Sequence, residues 1–241
     1  MNIALILSGG TGLRVGSSIP KQYIEVGGKP VITYCLKALY GHEAVDAIWV
    51  VAESEWQGKI LSWLKMYGLE GSIKGFSLPG QNRQLSILNG LEDIAKFASG
   101  DDYVMIHDAA RPCLSAQMIT DCFAKVAGHD GVLPVLPMKD TVYLSEDGTG
   151  ISSLLDRKKV FAGQAPEVFV LGKYLEANRE LLAKKVVGED GKEQAFILSI
   201  NGSTEPAILA GMDVAMIPGD EKNFKITTKE DLERFRKLIE G

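Results

Sequence analysis

The chain has 241 residues, 46% of them hydrophobic and 24% charged, with a formal net charge of −5. That length suits one globular domain, residues 1–241, with room for a small appendage. A net negative charge argues against a general binder of nucleic acid or membranes, since either favours a basic surface.

The three cysteines, Cys35, Cys113 and Cys122, are far apart and lack metal-ligand spacing. They read as buried reduced thiols. The first residues open a strand without the basic, apolar and small-residue regions of a secretory signal, and no apolar run approaches the ~20 residues of a membrane span. The expectation is a cytoplasmic protein.

Strand-like and helix-like runs alternate along the chain. "IALIL" (Ile3 to Leu7) is short, continuous and apolar, as in a strand buried on both faces. Residues 30–41 predict a helix with proline at its start and glycine at its end. Residues 46–52 follow as a second strand, and 54–68 as a helix capped by Ser54. A weaker strand lies at 73–77. Leu85, Leu88, Leu91 and Ile94 then fall at helical spacing within 82–98. Residues 103–107 read as a buried strand, 116–127 as a helix and 131–137 as another strand. This order predicts an α/β fold with a largely parallel sheet covered by helices.

The rhythm breaks after Pro137. Residues 138–163 carry β-branched and apolar residues around the turn "SEDGTG", which predicts a protruding hairpin arm in place of another βα unit. Helix resumes at 173–184. Residues 186–194 are polar and read as a mobile loop. A last strand at 213–219 precedes a terminal helix capped by Thr227 or Thr228.

The loop after the first strand, "SGGTGLRVGSSIPKQY", carries the first chemical signal. Ligands of open α/β sheets bind beyond the carboxyl ends of the strands, and glycines there let backbone N–H groups approach a phosphate. A dinucleotide fingerprint fails on spacing. Gly16 comes one residue late, and the acidic residue ending the second strand, Glu53, lies too far on. No P-loop pattern exists. A nucleotidyltransferase loop remains, with Arg14 and Lys21 neutralising a triphosphate; the bland alternative is a surface loop with incidental charge. Further candidates also stand at strand ends. "HDAARP" places Asp108 and Arg111 there, and a carboxylate at such a point can hold Mg²⁺ on a triphosphate. "GQNRQLS" places Arg83 and Ser86 at a helix start, and "NFKIT" places Lys225 in a short extended piece.

Together "GGTGLRVGSSIPKQY", "GQNRQLSILNGL", "HDAARP", the pair Asp140-Thr141, "GQAPEVF" and "NFKITTKEDL" resemble, in content and order, the sugar- and polyol-phosphate cytidylyltransferases. The resemblance covers nearly the whole chain. It is closest to the branches acting on 2-C-methyl-D-erythritol 4-phosphate and on D-ribitol 5-phosphate.

The resemblance implies a Rossmann-like fold of the nucleotide-diphospho-sugar transferase type, with a β-arm that joins two copies into a homodimer. It implies transfer from CTP to a small polyol phosphate, with Mg²⁺ or another divalent cation as cofactor. Ser8, Gly9, Gly10, Thr11 and Gly12 would hold the nucleotide. Arg14, Lys21 and Lys225 would be the catalytic cations. Gly80, Gln81 and Ser86 would lie by the cytosine, with Arg83 supporting that turn, and Asp108 would face the ribose and metal. Thr141 and Arg157 on the arm, with Arg111, would bind the polyol phosphate. Thr204-Glu205 stands where the family carries Thr-Asp, which makes Glu205 the candidate for a second metal-side carboxylate. The first expected substrate is 2-C-methyl-D-erythritol 4-phosphate and the second D-ribitol 5-phosphate. A non-catalytic nucleotide-binding protein of the same fold is the alternative of a different class.

Overall fold

A computed structural model describes residues 1–10, 16, 19–187, 193–200 and 202–241. Strand β1 (Asn2–Leu7) leads into the glycine loop, and a small hairpin, β2 (Glu25–Val26) and β3 (Lys29–Pro30), follows it. The chain then alternates: α1 (Val31–Tyr40), β4 (Ala47–Val51), α2 (Ser54–Met66), β5 (Ile73–Ser77), α3 (Arg83–Ile94), β6 (Tyr103–Asp108), α4 (Ala116–Val126) and β7 (Gly131–Pro137). The arm is β8 (Val142–Leu144) and β9 (Ser153–Leu155). The remainder is β10 (Phe161–Gly163), β11 (Glu167–Val170), α5 (Leu171–Ala183), β12 (Lys185–Val187), β13 (Glu193–Ala195), α6 (Glu205–Leu209), β14 (Val214–Pro218) and α7 (Lys229–Glu240).

The main sheet runs β5-β4-β1-β6-β11-β7, with β10 extending the β11 side of β7 and β14 also paired to β7. β1, β4, β5 and β6 are mutually parallel, and β14 is parallel to β7. β11 runs against both β6 and β7, so the sheet is mixed but mostly parallel.

Side-chain alternation along β1 explains its unbroken apolar sequence. Ala4 and Ile6 enter a core with α1, α2 and α4. Ile3 and Leu5 enter a second core with α3 and α5. With a helical layer on each face, Ile3 to Ile6 are all buried. A third, smaller cluster packs Leu232 and Phe235 of α7 against Ile24, Val26 and Val31. It brings the C-terminal segment back beside the glycine loop.

Some local expectations change. Ser54 is the first helical residue of α2, and extended Glu53 precedes it without a side-chain cap bond. Thr228 caps α7 in a reciprocal box with Asp231. Where a loop was expected over 186–194, β12 pairs with β13, and residues 188–192 lie outside the described residues. The arm is narrower than expected, because Phe161–Gly163 pairs with β7 in the main sheet.

Candidate active site

The carboxyl ends of β1, β4, β5 and β6 open onto one cleft of about 670 Å³. Its lining includes Gly9, Gly10, Lys21, Gln22 and Glu53, and also Arg83, Asp108 and Lys225. Pro79, Gly80, Gln81 and Ser86 also line it. Segments distant in sequence meet there because parallel strands direct successive turns to the same edge of the sheet.

The glycine wall is fixed from behind. A Cβ on Gly9 would lie 2.4 Å from Pro79 Cβ, so only glycine lets these two turns close on each other. Gln22 Nε2 donates to the carbonyls of Ser8 at 2.7 Å and Gly10 at 2.8 Å. Ser8 is buried and turned away from the cleft: its Oγ donates to Tyr23 Oη at 2.7 Å. Tyr23 stacks on Trp56 with ring centroids 4.1 Å apart, and burial pushes its hydroxyl pKa up to about 12. Ser8 therefore anchors the loop, while Gly9 and Gly10 face the cleft. Thr11, Gly12 and Arg14 lie outside the described residues.

The second turn is equally constrained. Gly80 N–H donates to Ser86 Oγ at 3.0 Å, and that hydroxyl donates to the Asn82 carbonyl at 2.8 Å. Asn82 caps α3 by accepting from Leu85 N–H at 2.8 Å, while its amide nitrogen donates to the Ile197 carbonyl at 3.1 Å. The N-terminus of α3 is thus aimed at the cleft, a placement that favours an anion.

Asp108 is the electrostatic centre. Its Oδ1 accepts from Arg83 Nε and Nη2, each at 3.2 Å, and its Oδ2 lies 3.0 Å from Lys225 Nζ and 3.5 Å from Arg111 Nε. Burial opposes ionisation, but Arg83, Lys225 and Arg111 outweigh it and hold the carboxyl far below the usual range. Arg83, expected to support the cytosine turn, reaches across to this carboxylate. Glu167 of β11 is buried nearby. Desolvation raises its pKa against the pull of Arg83.

The preceding residue, His107, is fully buried, and its Nε2 lies 3.0 Å from the Arg111 carbonyl. The imidazole must donate there, which fixes the Nε2–H tautomer. Desolvation lowers its pKa to about 4, so it is neutral at pH 7. It braces the loop after β6 and does not reach the cleft as a base.

Over residues 2–240 the chain matches the family model described as IspD, 2-C-methyl-D-erythritol 4-phosphate cytidylyltransferase. The chain belongs to the IspD family. A ribitol-5-phosphate cytidylyltransferase of Streptococcus agalactiae serotype III is 31% identical over 245 aligned positions, covering 100% of this chain and 96% of that protein. A 2-C-methyl-D-erythritol 4-phosphate cytidylyltransferase of Lachnospira eligens is 32% identical, covering 97% of this chain and 96% of that protein. The fold is shared with the 4-diphosphocytidyl-2C-methyl-D-erythritol synthase of Anaerococcus prevotii at a TM-score of 0.80 and 23% identity, covering 100% of this chain and 96% of that one.

Within this IspD-family site the remaining candidates are distributed unevenly. Arg111 faces inward: its Nη1 donates to the Asn223 carbonyl at 2.7 Å, and it is not among the residues lining the cleft. Thr141 and Arg157 stand on the exposed arm, where Arg157 Nη1 donates to the Lys139 carbonyl at 2.9 Å. Glu205 opens α6 and does not line the cleft. Among the described residues no group of three or more His, Cys, Asp or Glu side chains could hold a metal ion. Asp108 alone still fits a cation carried by phosphates, which needs only one or two protein carboxylates. Such a cation would have to compete with Arg83 and Lys225 for it.

Three contributors escaped the sequence reading. Gln22 follows Lys21 directly, but nothing in "PKQY" marks a glutamine that pins glycine carbonyls. Asn82 carried an ordinary cap signal at a helix start. Glu53 stands at a strand end, where its sequence signal is only that of a misplaced dinucleotide acid.

Proposed function

We propose that the chain transfers the cytidylyl group of CTP to a small polyol phosphate and releases pyrophosphate. The observation that carries this reading is the single cleft lined by glycine backbone and Lys21 together with Arg83 and Lys225 gathered at Asp108. A phosphate oxygen of the polyol attacks the α-phosphorus of CTP. The bond from that phosphorus to the bridging oxygen breaks, and pyrophosphate leaves with the electron pair. A phosphomonoester whose second pKa is about 6 is already an anionic nucleophile at neutral pH, so no side-chain base is required.

The protein's task is electrostatic. Lys21 and Lys225, joined by Arg14, bring two anions together and stabilise charge growing on the transferring phosphoryl group. The α3 N-terminus adds partial positive charge at the cleft. Magnesium, bound through CTP phosphates and Asp108, would supply further neutralisation of that charge. The arm would seat Thr141 and Arg157 at the polyol phosphate of a second copy, giving a twofold dimer with shared sites. Buried thiols such as Cys35 and Cys122 suit the reducing cytoplasm.

The first substrate reading is 2-C-methyl-D-erythritol 4-phosphate, supported by the family match over residues 2–240. The second is D-ribitol 5-phosphate, favoured by the streptococcal relative that aligns across 100% of the chain. Both phosphates offered with CTP and Mg²⁺, and scored by mass for the CDP-product, test the reading. Efficient turnover of one is expected; turnover of neither by folded protein rejects it.

A further inference from the structure

Lys225 lies in the connection between β14 and α7, which has no helix or strand of its own. An ammonium on a flexible four-carbon stem is aimed only as well as its backbone is held. On the Asp108 side the hold is visible. Ile226 N–H donates to the Ala110 carbonyl at 2.9 Å, and Arg111 Nη1 donates to the Asn223 carbonyl at 2.7 Å.

The opposite side is held by two buried amides. Gln164 Nε2 donates to the Asp220 carbonyl at 3.1 Å, and Asp220 N–H returns a bond to Gln164 Oε1 at 3.0 Å. Asn223 Nδ2 donates to the Ala165 carbonyl at 2.7 Å and lies 3.3 Å from Met118 Sδ. Because a carbonyl can only accept, this contact fixes which end of the amide is nitrogen.

Asn223 is 0% exposed, and its Oδ1 has no partner among the described residues. Burying a half-satisfied amide is costly, and an apolar side chain of similar size would escape the cost of the bare Oδ1. Its use is therefore positional. The bond to Ala165 joins the Lys225 segment to the connection between β10 and β11, two residues before Lys225 itself.

We propose that Asn223 is a positioning residue for cytidylyl transfer, latching the Lys225 segment to the Ala165 carbonyl so that the ammonium is aimed into the cleft beside Asp108. Asn223 touches no substrate; its effect passes through Lys225. The inference rests on the cytidylyl-transfer reading and adds to it a residue that sets the geometry of one cation.

The test is a double-mutant cycle on the full chain with CTP, Mg²⁺ and the accepted polyol phosphate. Asn223→Leu keeps the branched shape, at somewhat larger volume, and removes the donor. The latch predicts that kcat falls about 10- to 100-fold while KM for the polyol phosphate moves less than about threefold. In a Lys225→Ala background the same change should alter kcat by less than about threefold, because the aimed group is already gone. If the leucine variant does not fold, Asn223→Ser, which is smaller and too short to reach Ala165, carries the same cycle. Melting temperatures are read alongside. A variant that melts lower yet keeps near-parental kcat, or one whose loss is undiminished in the Lys225→Ala background, overturns the latch alone. A folded parent that makes no CDP-product from either polyol phosphate sinks the transfer reading, and the latch with it.

Discussion

The cleft and the arm are built on opposite physical terms. At Asp108, three cationic side chains from α3 and two connecting segments converge on the carboxylate that ends β6, with Asp108 itself buried. The arm has two three-residue strands, and Tyr143, Leu144 and Leu154 are 55%, 45% and 65% exposed. A lone hairpin of that kind is marginal in water. One chain is therefore enough to organise the cations of the cleft, but the arm has apolar surface that it cannot bury by itself. In the proposed dimer this contrast becomes a division of labour, with nucleotide handling inside one chain and polyol-phosphate handling assembled between two.

The largest effect should come from unbalancing the cleft. Asp108→Asn leaves Arg83, Arg111 and Lys225 facing one another without their shared anion. Loss of one partner of a largely buried ion cluster costs about 3 kcal/mol or more. Chemical denaturation should report that loss together with a collapse of cytidylyl transfer. Parental stability in this variant would show that the cluster is weakly coupled.

The next effect is a pH dependence of stability centred on His107. Its folded pKa, lowered by desolvation to about 4, sits below the ordinary value of 6.5, so the unfolded chain binds the proton first. Stability is lost as pH falls from about 6.5 towards 4, by about 3 kcal/mol at the lower end. Glu167 acts in the opposite sense over the acidic part of that range, because its raised pKa favours its protonated form in the fold. The parent must therefore be compared with His107→Gln, which retains Glu167. The parent should lose stability relative to the variant on acidification; parallel curves would remove His107 from the linkage.

The arm should respond differently. Mixing Lys21→Ala chains with Arg157→Ala chains should restore part of the activity absent from either alone, since one site of each mixed dimer has both side chains. Heterodimers that form without recovery would place both residues in one chain's site. The smallest effect concerns folding of the single chain. Leu154→Ser removes an exposed side chain and should change unfolding free energy by no more than about 0.5 kcal/mol, while weakening self-association measured by sedimentation.

The same contrast governs what the sequence makes legible. Gly9, Gly10 and Asp108 stand out because strand ends and glycine clusters are local signals, whereas Lys225 is legible only through the family resemblance. Asn82 is legible as a cap. Strand β11 is hidden, because Val170 passes directly into α5 without a side-chain cap and the period changes with no turn residue to mark it. The inward direction of Arg111, the anchoring role of Ser8 and the pinning by Gln22 depend on contacts between segments distant in sequence. No local pattern carries those. Glu205 shows the converse: its place in a motif suggested a metal ligand, but α6 sets it outside the lining of the cleft.

The most direct measurement is kcat for Lys225→Ala against the parent, at saturating CTP and polyol phosphate, with melting temperature recorded on the same samples. An ammonium stabilising the transferring phosphoryl group predicts a fall of about 10²- to 10³-fold with little change in melting. A variant that melts like the parent and turns over at near-parental rate would contradict the account of this cleft as a cation-driven cytidylyl-transfer site.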